Sequence, residues 1–159
     1  MHPETHRRGL ELKVPPLLTG CIAAALTWLI SKTLPQFQVS VPARNLLAGS
    51  VSIVGGIVGA VGVYSFRRAR TTVNPMKPAS TTCLVMSGIY RISRNPMYLG
   101  FFLLLTGLAI FLSNVIAIVI LPLFILYMNR FQIEPEERVL TYLFGQEFVD
   151  YKLRVRRWL

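Results

Sequence analysis

Residues 95–129 read NPMYLGFFLLLTGLAIFLSNVIAIVILPLFILYMN, 35 positions without a charge. A continuous helix of that length would run about 52 Å, far beyond a hydrocarbon core of roughly 30 Å. Ser113 and Asn114 are the one clustered polar pair inside the block. The sequence therefore predicts a tight hairpin of two membrane helices turning at Ser113 and Asn114, with Pro122 kinking the second arm. Both ends of the block then return to the same side of the membrane.

Working outward, two more uncharged stretches lie upstream: 18 residues between Lys13 and Lys32, and 22 between Arg44 and Arg67. They predict a first span over 15–34 and a second over 45–66. The polar N-terminal thirteen residues and the apolar run after them have the order of a signal peptide. No small-residue cleavage site follows, so the first span is expected to be retained. The second span carries Gly55, Gly56, Gly59 and Gly62. No strand precedes these glycines, which argues against a dinucleotide fingerprint. Gly55 and Gly59 instead make a G-x-x-x-G face suited to close helix packing in lipid.

At 159 residues the chain is expected to form one domain, 1–159, with two N-terminal spans (1–66) and a core (67–159). The expected fold class is all-α: a polytopic membrane helix bundle of about four spans. A C-terminal helical hairpin is followed by a cytoplasmic amphipathic helix carrying Val139, Leu140, Leu143, Phe144 and Phe148, interrupted at Gly145. Lys and Arg number three in the N-terminal tail, six between spans two and three, six in the C-terminal segment and two in the first connection. That bias places both termini and the long loop in the cytoplasm.

The net charge of +10 borders membrane segments and leaves no soluble face for nucleic acid. Membrane lipids of the anionic leaflet are the expected partner, with Arg154, Arg156, Arg157 and Trp158 in the headgroup layer. Cys21 and Cys83 have neither metal nor disulfide-framework spacing, and His2 and His6 lie in the N-terminal tail; no metal site is expected. Oligomeric state is not legible.

Two polar clusters flank the uncharged block. Before it, 87–100 reads SGIYRISRNPMYLG. Asn95 followed by Pro96 is a helix-start signal, since Asn accepts from free amides and Pro lacks the N–H that would go unpaired. Those amides, the helix dipole and Arg94 make an expected anion site. After the block stands Glu134-Pro135-Glu136-Glu137, acids and a proline of the kind that begin a helix. The hairpin brings both clusters to one membrane face. A ligand matching an anion site, two carboxylates and tyrosine faces carries a carboxylate, a cation and a ring, as S-adenosylmethionine does.

The pattern Gly88, Tyr90, Arg94, Asn95, Pro96, Tyr98, Gly100, with Glu136-Glu137, Leu140, Phe144-Gly145, Phe148 and Tyr151 after the hairpin, resembles the isoprenylcysteine carboxyl methyltransferase and phospholipid methyltransferase group. The resemblance covers about 71–159. It implies a prokaryotic-type integral membrane enzyme of the inner membrane that uses S-adenosylmethionine and takes a hydrophobic or lipid-like acceptor. It places cofactor contact on Gly88, Tyr90, Arg94, Asn95, Pro96, Tyr98, Gly100, Glu136 and Glu137. Glu137 and Arg130 are the candidate catalytic residues: either Glu136 or Glu137 could act as a base, and Arg130 is the arginine nearest Gln132 and Glu134. Many members carry His where this chain has Asn95. The eukaryotic prenylcysteine enzymes carry arginines where this chain has Gln132 and Glu134, which argues against a prenylcysteine acceptor. Two alternatives stay open on sequence alone: an NAD(P)H-dependent membrane reductase of sterol-reductase type, and a non-catalytic membrane scaffold.

Overall fold

The computed structural model describes residues 11–69 and 83–159. Arg70, Pro75 and Pro78, like the histidines and first arginines of the N-terminal tail, lie outside the described residues. Helix α1 spans Pro16–Thr33, with Pro16 in its first turn. The hydroxyls of Thr27 and Thr33 bond back to the carbonyls of Ala23 and Leu29, so neither presents an unpaired group to lipid. Helix α2 spans Arg44–Arg68 and α3 Pro96–Leu112. Both spans expected from charge spacing are present, within about two residues of their expected ends.

The hairpin turns where the polar pair predicts. Ser113 ends α3 in the left-handed region at φ +53. Asn114 is fully buried, and its side chain makes three bonds. Its Nδ2 donates to the Leu34 carbonyl at 2.8 Å, and its Oδ1 accepts from the amides of Ile116 and Ala117 at 3.0 and 3.2 Å. The amide of Val39 bonds the Ser113 carbonyl, and that of Val115 the Phe37 carbonyl. The polar pair thus latches the α1–α2 connection to the α3 turn, satisfying backbone groups that lipid would leave bare.

Beyond the turn, the chain is one unbroken rod over Ala117–Phe144. A 3₁₀ turn (Ala117–Val119) leads into α4 (Ile120–Tyr127), then a π turn (Met128–Ile133), then α5 (Glu134–Phe144). This corrects two expectations. Pro122 lies in the first turn of α4, and the departure from α geometry falls at Met128–Ile133 instead. Glu134-Pro135 does not begin a free helix either; it continues the rod. Pro135 lacks an N–H for the Phe131 carbonyl four residues back and crowds it, and widening to a π turn relieves that conflict.

Helix α3 is central, packed against α1, α2 and α4. The α2–α3 seam is built from glycines. A Cβ on Gly100 would lie 2.8 Å from the Gly55 carbonyl oxygen and 2.9 Å from the Gly59 Cα; one on Gly55 would meet Leu103 at 2.9 Å. The G-x-x-x-G reading is borne out, with Gly100 as its counterpart. Among the described residues, three helices (α1, α2 and the Ala117–Phe144 rod) are long and apolar enough to cross a membrane, and α3 is a shorter apolar helix of 17 residues. Leu17, Leu46, Ile53 and Ile57 stand exposed on the outer faces, a surface that only hydrocarbon suits. The chain is a polytopic helical membrane bundle.

Gly145, at φ +53 and ψ −128, breaks the rod as expected, and α6 (Gln146–Arg154) follows. Phe148, Tyr151 and Val155 are buried against Leu84, Met86, Leu140 and Phe144.

Candidate active site

The segment before α3 and the start of α5 meet at the end of the bundle opposite the Asn114 latch. Arg94 Nη2 lies 2.8 Å from Glu137 Oε1, and the Tyr98 hydroxyl donates to Glu136 Oε2 at 3.0 Å. The two clusters flanking the apolar block are therefore brought together, as the hairpin requires.

Their detailed roles differ from expectation. Asn95 occupies the helix-start position with Pro96 after it, but its side chain caps nothing. Its Nδ2 donates to the Arg157 carbonyl at 2.9 Å instead. The reason is the neighbouring chain: the C-terminal tail lies across this loop. The Arg94 amide donates to the Arg156 carbonyl, and the Ser93 hydroxyl bonds the Arg157 carbonyl and accepts from the Asn95 amide.

Arg94 is engaged by protein groups as well. Its Nη1 donates to the carbonyls of Lys152 and Val155, both at 3.0 Å, satisfying the last turn of α6, where a cation is favoured. Glu137 is clamped from the other side by Arg157, with contacts of 2.7 and 3.2 Å. Arg157 and Trp158, expected in the headgroup layer, instead point into the structure. The Trp158 indole N–H donates to Asn129 Oδ1 on the π turn at 3.0 Å, and its ring lies 6.3 Å from Phe102.

Glu136 stands apart from this network. Among the described residues it has no ion-pair partner, only the Tyr98 hydroxyl, which also accepts from Gln132 Nε2 at 3.4 Å. Tyr90 is 4% exposed, with its ring edge-on to Phe66 at 5.2 Å. Gly88 opens its 3₁₀ turn (Gly88–Arg91) at φ +61, a conformation that glycine adopts without strain. The Tyr151 hydroxyl donates to the Tyr90 carbonyl at 2.7 Å, fixing that turn. Burial raises the Tyr90 hydroxyl well above its ordinary pKa, and the nearby Glu136 carboxylate pushes the same way. Two buried polar atoms here, Tyr90 Oη and Arg94 Nε, lack a hydrogen-bond partner among the described residues. Orphans of this kind are rare and call for an explanation, such as a ligand.

Pro96 is fully buried, and Gly100 is buried in the α2–α3 seam. Gly100 and Tyr98 also line a cleft of about 370 Å³ between α1, α2 and α3, walled by Leu17, Met97, Phe101 and Leu104. Arg130 lies apart from Arg94. Its half-exposed side chain pairs with Glu11 (3.4 Å) and Glu134 (3.6 Å), and reaches the clamp through Glu134 and Arg157. Sequence reasoning missed Arg157, Trp158, Gln132 and Glu11. Arg157 was hidden in a basic tail of four cations, and Glu11 carries no motif at all.

Fold and site together define a membrane helix bundle whose polar site is assembled from helix ends and a C-terminal tail. The chain belongs to the phospholipid methyltransferase family, whose profile matches residues 43–147. It is similar to the mouse protein-S-isoprenylcysteine O-methyltransferase, at 39% identity over 77 residues, 48% of this chain and 27% of that protein. The Saccharomyces cerevisiae protein of the same name is 31% identical over 123 residues, 76% of this chain and 50% of its own length. An uncharacterized Haemophilus influenzae protein is 44% identical over 63 residues, 40% of this chain and all of its own. The chain thus spans at most half of these eukaryotic relatives. No solved structure matches it.

Proposed function

We propose that this chain transfers a methyl group from S-adenosylmethionine to a hydrophobic, membrane-borne acceptor at the cytosolic face of a prokaryotic inner membrane, with both termini cytoplasmic. The observation that carries this reading is the meeting of Arg94 with Glu137 and Tyr98 with Glu136 beside two unsatisfied buried donors. Membership of a methyltransferase family supports it.

The residues present fit the cofactor's chemistry. Tyr90 Oη and Arg94 Nε are the free donors for its carboxylate or ribose, and the unpaired Glu136 carboxylate suits its ammonium or sulfonium charge. When bound, S-adenosylmethionine supplies an electrophilic methyl group. The protein's share is to orient the acceptor and exclude water. The glycine-floored cleft, open among lipid-facing residues and ending at Tyr98, gives an apolar acceptor its path. An amine or thiol acceptor must lose a proton, and Glu136 rather than the doubly clamped Glu137 is placed to take it. Glu137, Arg94 and Arg157 hold the site's shape.

Isothermal titration of the detergent-solubilised protein tests this. S-adenosylmethionine and S-adenosylhomocysteine should bind competitively, and NADPH should not. Binding of NADPH alone would establish the reductase reading in its place. Cysteine labelling should report Gln146 on the cytoplasmic side and Gln38 on the opposite side; Gln38 on the cytoplasmic side overturns the orientation.

A further inference from the structure

Residues 11 and 12 lie outside every helix, yet Glu11 is 3% exposed and Leu12 5%. The Glu11 carboxylate accepts from Arg130 on the π turn and from Arg138 on α5, at 3.4 and 2.5 Å. Leu12 holds φ +54, a strained conformation for a bulky side chain. In that conformation its amide donates to the Phe131 carbonyl at 3.0 Å. Phe131 is the residue whose carbonyl Pro135 deprives of an α-helical donor. The N-terminal segment thus supplies a bond at the place where the rod departs from α geometry, and a buried carboxylate ties down the arginines on either side.

That departure sets the site's register. A π turn holds one more residue than an α turn, so it rotates everything after it by about 100° relative to a continuous α-helix. Glu136 faces Tyr98, Asn129 meets Trp158 and Gln132 reaches the Tyr98 hydroxyl in the wide form. Closing the turn to α would swing Glu136 away.

We propose that Glu11 and Leu12 are positioning residues: they clip the π turn in its wide form and so hold Glu136 opposite Tyr98. The consequence for cofactor binding rests on the methyltransferase reading; the clip itself does not.

The chain has two tryptophans, so Trp28→Phe leaves Trp158 as sole reporter, bonded to the π turn through Asn129. In this background, below the unfolding temperature, Glu11→Ala should red-shift Trp158 emission and increase its quenching by acrylamide. It should weaken S-adenosylmethionine binding about tenfold or more, equivalent to about 1.4 kcal/mol. Glu11→Gln, which keeps an acceptor, should recover part of both effects, and it carries the test should Glu11→Ala fail to fold. Because Glu11 and Arg138 act as one unit, the double variant Glu11→Ala with Arg138→Ala should be less impaired than the sum of the singles. Unchanged emission in folded Glu11→Ala and Glu11→Gln proteins, or strictly additive effects, overturns the clip. If the parent binds no S-adenosylmethionine while Trp158 still responds to Glu11, the methyltransferase reading falls and the clip stands.

Discussion

Helix α3 is joined to its neighbours by two contacts of opposite physics. Along its middle, the seam with α2 has almost no side chains: Gly55, Gly59 and Gly100 let backbone meet backbone. At its start, the clamp is built on charged side chains, with Arg94, Glu137 and Arg157 reaching across from three separate segments. Lipid removes the hydrophobic driving force between apolar helices, so the seam depends on dispersion at close range and on nothing that titrates. The clamp sits where charges are only partly desolvated, with side chains of Arg94 and Glu137 11% and 15% exposed. It depends on every partner being present. The seam therefore fixes where α3 stands, and the clamp fixes what its end can bind.

The sharpest break in this contrast is at Gly100. Gly100→Leu places a side chain against backbone atoms that have nowhere to go, and we expect no folded protein in detergent. At Gly56, one residue from the seam and on the cleft wall, an added Cβ would meet nothing within 4 Å, so Gly56→Leu projects into the cleft. It should fold normally and, by filling the cleft, slow methyl transfer to the acceptor without changing cofactor affinity. Equal stability of the two variants by thermal unfolding would abolish the distinction between seam and cleft.

Next in size is Arg94→Ala, which strips a partner from Glu137 and from the carbonyls of Lys152 and Val155 at the end of α6. Breaking a buried pair by removing one member costs about 3 to 5 kcal/mol, and the partial exposure here points to the lower end. Arg94→Lys should recover only part, because an ammonium does not reproduce the planar fork. Thermal stability of the three proteins checks this; a loss below about 1 kcal/mol would make the clamp a surface pair.

The two glutamates should then separate function from stability. Glu137→Gln should lower stability by weakening both arginine contacts. Glu136→Gln should leave stability unchanged or raise it, since an unpaired carboxylate is costly to bury. It should slow transfer to an amine or thiol acceptor by about a hundredfold or more. The reverse pattern would return the base to Glu137.

The smallest expected effect is alkaline. Burial pushes the Tyr151 hydroxyl up to about 12, against the downward pull of nearby Arg94. The unfolded chain releases this proton near pH 10, whereas the folded protein holds it to about 12. The contribution is therefore fully present below pH 10 and is lost as pH rises through that window. Tyr151→Phe should flatten the decline in unfolding temperature over this window while costing about 1 kcal/mol at neutral pH for the lost bond to Tyr90. An unchanged alkaline slope would mean that Tyr151 ionises as freely folded as unfolded.

Read from the sequence, the spans, the turn at Ser113 and Asn114 and the glycine seam all appear at their places in the structure. Each depends on a local property: an uncharged run of sufficient length, a polar pair within it, small residues at helical spacing. The meeting of Arg94-Asn95-Pro96 with Glu136-Glu137 was also legible, because a hairpin returns its two ends to one side. Glu134 and Pro135 do begin an α-helical stretch, α5, but it is continuous with the rod rather than a separate helix, because a π turn absorbs Pro135.

Sequence alone thus determined which segments enter the membrane and which polar clusters share a face, since hydropathy acts segment by segment. Only the tertiary structure decided which charge pairs with which. Arg94 finds Glu137 across 43 positions and Arg138 finds Glu11 across 127. Seventeen cations compete for seven acids, and long side chains make many of those pairings nearly equal in energy until helix packing sets the distances. Glu136, on which the proposed chemistry turns, is among the carboxylates of the described residues that this selection leaves without a cation.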